Sequence, residues 1–213
     1  YEMLWSDWSS DVCSSDLESR GGAYLLVEAA SGSARVPLDD IVGAVLEWGM
    51  EAGLVLDGAI AASEAQRAAF WRLREEQPEG QRLEGAQLKH DISVPPGRIA
   101  EFIAAGGAIC EALLPGARVN PFGHLGDGNI HYNLSPPVGA AGFGDAAGEI
   151  GLAVARLASG MGGSFAAEHG LGRAKTGLAD ALRPAAERGL MRAVKAALDP
   201  EGIMNPGVVL AAR

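Results

Sequence analysis

Cysteine, basic side chains and long apolar runs are all scarce in this sequence of 213 residues. The two cysteines, Cys13 and Cys110, lie far apart in unlike contexts, which is not the spacing of a disulfide framework and fits a reducing cytosol. Lysine and arginine number 17 against 27 aspartates and glutamates, for a formal net charge of −10. This balance argues against nucleic acid or an anionic membrane as the main partner, although an acidic protein can still hold a locally basic pocket for an anionic substrate.

Membrane-spanning and nucleotide-binding signals are also missing. The longest apolar run, residues 102–110, is too short to cross a bilayer, and no basic start followed by an apolar block marks a secretory signal. We therefore predict a cytoplasmic protein. No G-x-G-x-x-G follows a predicted strand and opens a helix, and no G-x-x-x-x-G-K-[ST] occurs, which argues against a doubly wound nucleotide fold.

Residues 1–17 differ in composition from the rest of the chain. The tripeptide Ser-Ser-Asp occurs twice in them and they hold two of the four tryptophans, whereas the chain from Glu18 onward is rich in alanine, glycine and arginine. The segment resembles translated sequencing-adapter sequence joined to an open reading frame; a natural flexible tail is the alternative. We predict residues 1–20 to be non-native or disordered and residues 21–213 to form one domain with a true core, since 48% of the sequence is hydrophobic.

Within residues 21–213, short apolar runs alternate with helical patterns. Strands are predicted at residues 23–30, 54–56 and 87–94, a loop at 77–85, and helices at 37–50, from Ser63 to about Arg74, at 98–114, 146–160 and 184–198. Extended segments at 117–122 and 130–134 flank Asp127-Gly128, which is strong hairpin chemistry. This order predicts an α+β fold, with an antiparallel or mixed sheet covered by helices in the manner of a ferredoxin-like substrate domain, followed by a C-terminal helical segment.

The hairpin carries two of the four histidines, His124 and His131, on either side of a Gly-Asp-Gly-Asn turn. A second strip supplies a carboxylate and a third imidazole, Glu168 and His169. Two imidazoles and one carboxylate are the three-ligand set of a catalytic zinc site with one open position. The alternative is that the histidines only hydrogen-bond across the turn while Asp127 caps it. Three glycines in the turn region favour a site, because they let another group approach the backbone closely.

Five strips occur together in the order found in one known family. They are Phe70-Trp-Arg-Leu-Arg-Glu75, Leu88-Lys-His-Asp-Ile-Ser-Val-Pro95, Gly123-His-Leu-Gly-Asp-Gly-Asn-Ile-His131, Ala167-Glu-His-Gly-Leu-Gly172, and Leu198-Asp-Pro through Met204-Asn-Pro-Gly207. On these strips, residues 21–213 resemble the C-terminal part of the FAD-linked 2-hydroxy acid dehydrogenases, the family of D-lactate, D-2-hydroxyglutarate and glycolate dehydrogenases. The third strip combined with the fourth is the most specific.

The resemblance implies a role for each matching residue. In metal-dependent members the residues that match His124, His131 and Glu168 hold zinc or another divalent metal, and the one that matches His169 is the general base. The residues that match Arg74, Lys89 and Asn133 bind the substrate, and Asn205 is expected near the flavin. Pro78 departs from the family, where some members carry a substrate-contacting threonine, which leaves the distal substrate specificity open.

Several of these residues also have plainer interpretations. Arg74 lies near a predicted helix end, where it would offset the helix dipole or pair with a neighbouring glutamate. Glu168 would serve equally as an acid at a helix start. Lys89 alternates with His90 along a predicted strand, so one of the two is expected to face solvent. Asn-Pro-Gly at Asn205 is also ordinary turn chemistry.

The resemblance implies a flavin-dependent enzyme that oxidises a D-2-hydroxy acid to the 2-oxo acid. FAD would lie mainly in an N-terminal domain that is absent from this sequence, so we expect a fragment that is inactive alone. The expected partners are a small 2-hydroxy acid and an electron acceptor such as electron-transfer flavoprotein, a quinone or a cytochrome, with no nucleic acid; a homodimer is compatible with the pattern. The alternative is a non-catalytic metal-binding module or a subunit of a larger complex like glycolate oxidase.

Overall fold

The computed structural model describes residues 2–4 and 21–211. In chain order its elements are β1 (Glu2–Leu4), β2 (Tyr24–Leu26), α1 (Leu38–Glu51), α2 (Glu64–Glu75), α3 (Gln77–Leu83), β3 (Asp91–Ser93), α4 (Ile99–Leu113), β4 (Arg118–His124), β5 (Asn129–Ser135), α5 (Ala146–Gly160), α6 (Thr176–Leu182) and α7 (Ala185–Leu198). The predicted α+β class is confirmed. None of the described helices is both long and apolar enough to cross a membrane.

The described strands form one sheet in the order β2-β1-β4-β5-β3, and every neighbouring pair is antiparallel. Its centre is the predicted hairpin of β4 and β5, whose register sets Phe122 opposite His131 and His124 opposite Asn129. Residues 2–4, which belong to the segment predicted to be non-native or disordered, form β1, which pairs with both β2 and β4. The rest of that segment, residue 1 and residues 5–20, lies outside the described residues.

One face of the sheet packs against α4 and α5 and forms the core. Ile92, Ile130, Tyr132 and Leu134 alternate with polar residues along β3 and β5, and all four are at most 3% exposed. Burial of each such side chain contributes about 1.5–3 kcal/mol to folding. The Tyr132 ring meets Phe102 of α4 edge to face with centroids 5.2 Å apart. The two-residue alternation therefore sends the polar residues to the opposite face.

Most predicted elements are confirmed, among them α1, α4, α5, α7 and the hairpin. The predicted cap of α2 is also present, since the Ser63 side chain accepts the Gln66 N–H at 3.2 Å. Cys110, predicted to be core, is fully buried, and burial raises the pKa of its thiol to about 11. The predicted strand at 87–94 is shorter than expected, with only Asp91–Ser93 continuous and Leu88 bridging Leu134.

Two local predictions are wrong. Residues 54–56 form no strand, because the N–H groups of Leu54 and Val55 turn back to bond the Gly49 carbonyl of α1. Residues 77–85 are not simply a loop, because Gln77–Leu83 is helix α3. Pro78 is tolerated there since it occupies the first turn, where a backbone N–H has no helical partner. Helix α6 was not predicted at all.

Two glycines let the loops that carry the site approach the sheet closely. A Cβ atom on Gly163 would lie 1.8 Å from the Ser93 carbonyl oxygen, and one on Gly128 would lie 1.9 Å from that of Val94. Gly128 also has φ +76°, which L-residues rarely adopt. The Ser93–Ser164 bridge, with N···O distances of 2.8 Å both ways, therefore depends on a bare backbone at Gly163.

We expect Gly163→Ala to destabilise the domain by about 1–3 kcal/mol, because the added methyl forces the 163–164 segment off the sheet edge. Gly160→Ala is the matched control, since nothing lies within 4 Å of its Cβ position and a helical alanine stabilises by about 0.5–1 kcal/mol. Urea denaturation followed by circular dichroism measures both. Equal midpoints for the two variants would show that the bridge tolerates a side chain.

Candidate active site

The sheet face opposite α4 and α5 carries polar side chains in rows that run across the strands. The register of β3, β5 and β4 gives the rows Ser93–Asn129–His124, Asp91–His131–Phe122 and Lys89–Asn133–Asn120. The last row follows from the Leu88–Leu134 bridge and from the hydrogen bond of Tyr132 N–H to the His90 carbonyl at 2.8 Å. His124 and His131 are therefore diagonal neighbours on one rigid surface.

Glu168 reaches both of these imidazoles from the loop after α5. Its Oε1 lies 3.8 Å from His124 Nδ1 and its Oε2 lies 4.0 Å from His131 Nε2. The structure thus brings together the three residues proposed from the sequence as metal ligands. Asp127 also lies near, with its Oδ2 3.8 Å from His124 Nδ1. It caps the turn as the alternative interpretation predicted, because its Oδ1 accepts the Asn129 N–H at 3.0 Å.

His169 follows directly and lies exposed beside the same cluster. Its ring centroid is 6.2 Å from that of His131. The pKa of His131 lies below its ordinary value, chiefly because burial disfavours the charged ring, although Glu168 and Asp91 oppose the shift. His131 is therefore held neutral, which is the form that binds a metal.

Arg74 projects from the end of α2 into this cluster. One guanidinium nitrogen lies 3.2 Å from His124 Nε2. A guanidinium can only donate, so Nε2 is the acceptor and Nδ1 carries the proton of the neutral ring. A cation on either nitrogen of His124 must therefore replace this hydrogen bond.

The other two predicted substrate residues lie one row away. Lys89 is exposed and His90 is buried, which confirms that one of the pair faces solvent. Asn133 is only 4% exposed and donates to Gln81 Oε1 at 2.8 Å. Gln81 belongs to α3, which has Pro78 in its first turn and covers this end of the polar face. A substrate group that reaches Asn133 must compete with Gln81.

Asn205 lies in an exposed turn after α7 and has φ +46°. The turn is held by Asp199, whose buried carboxylate accepts the N–H groups of Ile203 and Met204 at 3.0 Å each. Four residues after Asn205, the Val209 N–H bonds the Gly172 carbonyl at 2.7 Å. The C-terminal segment is thereby anchored to the loop that carries Glu168 and His169, and the flavin contact of Asn205 stays a prediction.

Asp91 is a functional candidate that the sequence did not single out. It is 7% exposed, and its carboxylate accepts the backbone N–H of Glu168 at 3.1 Å and that of His169 at 3.0 Å. Lys175 Nζ lies 3.5 Å away. Burial opposes ionisation of Asp91, but the His169 N–H, the Lys175 charge and the Glu168 N–H together hold its pKa below the usual range.

Two ligand sets could hold a metal on this surface. One is His124, His131 and Glu168; the other is Asp91, His131 and His169, whose ligating atoms lie within 4.8 Å of one another. The Asp91 carboxylate already accepts two backbone N–H groups and pairs with a lysine, which lowers its capacity to bind a cation. Glu168 is exposed and faces two imidazoles. Among the described residues only the second set has one atom of each ligand within 4.8 Å of the others, whereas the carboxylate of the first set has fewer competing partners.

The chain is similar to proteins of one known family. Residues 4–209 match the family model described as FAD linked oxidases, C-terminal domain. The chain is 36% identical over 186 residues to a D-2-hydroxyglutarate dehydrogenase of Xanthomonas citri pv. viticola, covering 86% of this chain and 39% of the relative. It is 35% identical over 184 residues to the mitochondrial D-2-hydroxyglutarate dehydrogenase of Bos taurus, covering 86% of this chain and 32% of the relative. The chain thus spans about a third of the length of the relatives it matches.

The buried His90 and the half-buried His131 give the domain a defined dependence on pH. Burial lowers the folded-state pKa of both His90 and His131 below 6.5, so the unfolded chain takes up protons first as pH falls. Stability is therefore complete above about pH 6.5 and is lost below it, by up to about 1.4 kcal/mol per histidine for each pH unit.

We expect the urea midpoint, measured with a chelator present, to fall between about pH 7.5 and about pH 5.5. His90→Asn should reduce the fall, because the amide can replace the Nδ1–H bond to the Tyr132 carbonyl at 2.8 Å without titrating. A midpoint that does not change over this range would contradict the assignment of these histidines as neutral in the folded state.

Proposed function

The chain belongs to the family of FAD-linked oxidases, whose C-terminal domain it matches, and on that premise we propose that it is the substrate- and metal-binding part of a dehydrogenase that oxidises a D-2-hydroxy acid to the 2-oxo acid. The observation that carries the proposal is the Glu168 carboxylate, which lies within 4.0 Å of both His124 and His131 on one polar sheet face. His169 and Arg74 lie at the edges of the same cluster.

A divalent metal fits the residues present. His124, His131 and Glu168 would hold it with one or more positions open for the substrate. When bound, the metal would acidify the substrate hydroxyl, and a flavin supplied by the rest of the enzyme would accept the hydride. Zinc is the first candidate, because two imidazoles and one carboxylate suit it.

The chain's own residues would bind the substrate and move its proton. His169 is exposed beside His131 and would take the hydroxyl proton on a ring nitrogen, since imidazole exchanges protons near neutral pH. Arg74, which lies beside His124 at the edge of the cluster, would bind a substrate carboxylate through its planar fork of donors. Lys89 would add a second positive charge one row along the sheet. Two cations suit a dicarboxylate such as D-2-hydroxyglutarate, the acid named for the relatives above.

We expect His124→Ala to abolish stoichiometric zinc binding and His169→Ala to preserve it, because only the first removes a proposed ligand. Zinc is measured by isothermal titration on the purified chain. Both positions are partly or fully exposed, so circular dichroism should show an intact fold in each variant. The opposite pattern, with zinc lost in His169→Ala and kept in His124→Ala, would establish the ligand set that contains Asp91. His131→Ala should lose zinc in either case.

Arg74→Ala should weaken binding of D-2-hydroxyglutarate to the zinc-saturated chain by about 1.5–3 kcal/mol, since a charge-assisted contact to a carboxylate is removed. Arg72→Ala is the matched control, because Arg72 lies on the same turn of α2, is exposed and pairs only loosely with Glu76 at 3.8 Å. Equal affinities for the two variants would remove Arg74 from the substrate site.

A non-catalytic metal-binding module is the second candidate, because His124, His131 and Glu168 could hold a metal without any turnover. Mixing or joining the chain with the flavin-binding part of a relative separates the two. Reduction of a dye that depends on a D-2-hydroxy acid supports catalysis. Retained zinc with no turnover supports the module. The cytoplasmic location, the electron acceptor and the homodimer stay predictions.

A further inference from the structure

Asp91 fixes the backbone of two adjacent residues that the proposed function uses. Its carboxylate accepts the N–H of Glu168 at 3.1 and 3.3 Å and that of His169 at 3.0 Å. These partners are 77 and 78 positions away in sequence, so the contact is purely tertiary. The same carboxylate belongs to the row that contains His131. One buried group therefore holds the loop against the sheet beside an imidazole.

Other contacts hold the loop on either side of these two residues. Glu168 and His169 are exposed and lie outside every described helix and strand. The loop is anchored before them by the Ser93–Ser164 bridge and the buried Phe165, and after them by the buried Leu171 and the Val209 N–H on the Gly172 carbonyl. At Glu168 and His169 themselves, the hydrogen bonds to Asp91 orient the peptide planes from which both side chains project.

Lys175 keeps this arrangement close to neutral. Its Nζ is 3.5 Å from Asp91 Oδ2, and its side chain is 20% exposed. The pair therefore adds almost no net charge beside the imidazoles. An uncompensated Asp91 would instead attract a cation away from Glu168, and it would resist burial.

We infer that Asp91, neutralised by Lys175, is the positioning residue of this site: it aims Glu168 at the imidazoles of His124 and His131 and holds His169 beside them. The inference rests on the proposed metal site. Asp91 acts through the backbone and is not itself a metal ligand.

The test compares zinc affinity, by isothermal titration, in Asp91→Ala and Asp91→Asn. Removal of a group that orients a metal ligand typically weakens metal binding by about 10- to 100-fold, and we expect that loss in Asp91→Ala. Asparagine keeps a carbonyl that can accept both backbone N–H groups but is a poor cation ligand. Asp91→Asn, made together with Lys175→Met so that no lysine charge is left unpaired, should therefore bind zinc more tightly than Asp91→Ala.

Cys110 offers a control for lost stability. It is fully buried on α4, which packs on the sheet face opposite the site, and among the described residues it makes no contact with the loop that carries Glu168 and His169. Cys110→Ala should lower the urea midpoint, yet leave zinc affinity unchanged. An equal loss of zinc affinity in both alanine variants would reduce Asp91 to a general stabilising residue and overturn the inference.

Two further results would also overturn it. Loss of zinc binding in Asp91→Asn equal to that in Asp91→Ala would make Asp91 a ligand, and unchanged binding in Asp91→Ala would make it irrelevant to the site.

If an Asp91 variant does not fold, amide hydrogen exchange on the unchanged chain tests the inference instead. The Glu168 and His169 amides should be protected from exchange relative to that of Gly170. Absence of this protection would contradict the hydrogen bonds to Asp91 on which the inference rests. Absence of zinc binding in the unchanged chain contradicts the metal site instead.

Discussion

The register of the β4–β5 hairpin determines where everything else in the site can lie. Because side chains alternate along each strand, one register sends Tyr132 and Leu134 into the core and His131 and Asn133 to the opposite face. A slip of one residue would bury the imidazole and expose the tyrosine. Packing of the apolar face against α4 and α5 therefore also determines which side chains lie on the polar face, although the core residues do not contact the site.

Loops then complete what the hairpin begins. The sheet presents two imidazoles, but the carboxylate between them and the imidazole beside them come from residues 168–169, which pass along the edge of β3. That segment is held by the Ser93–Ser164 bridge, which requires a residue without a side chain at Gly163, and by the buried carboxylate of Asp91. A rigid surface with an added, fixed loop is the arrangement that a site needs if its groups must stay within a few tenths of an ångström of their working positions.

Local signals in the sequence predicted much of this molecule. The Asp127-Gly128 turn predicted the hairpin, whereas the choice of His124, His131 and Glu168 as one set came from the family resemblance of the five strips. The sequence did not reveal α3, because a segment with Pro78 and polar residues has the composition of a loop, and the Gln81–Asn133 hydrogen bond that accompanies its burial is tertiary. It did not reveal Asp91 either, since the partners of its carboxylate are backbone N–H groups, which carry no residue-type signature.

The central claim is that this chain builds a substrate site that depends on a bound metal. Calorimetric titration of D-2-hydroxyglutarate into the chain, once saturated with zinc and once stripped by a chelator, tests it most directly. We expect binding to the zinc-saturated chain and a loss of at least about tenfold in affinity after stripping, because the metal would hold the substrate directly. Equal affinity in the two states, or no binding in either, would contradict it.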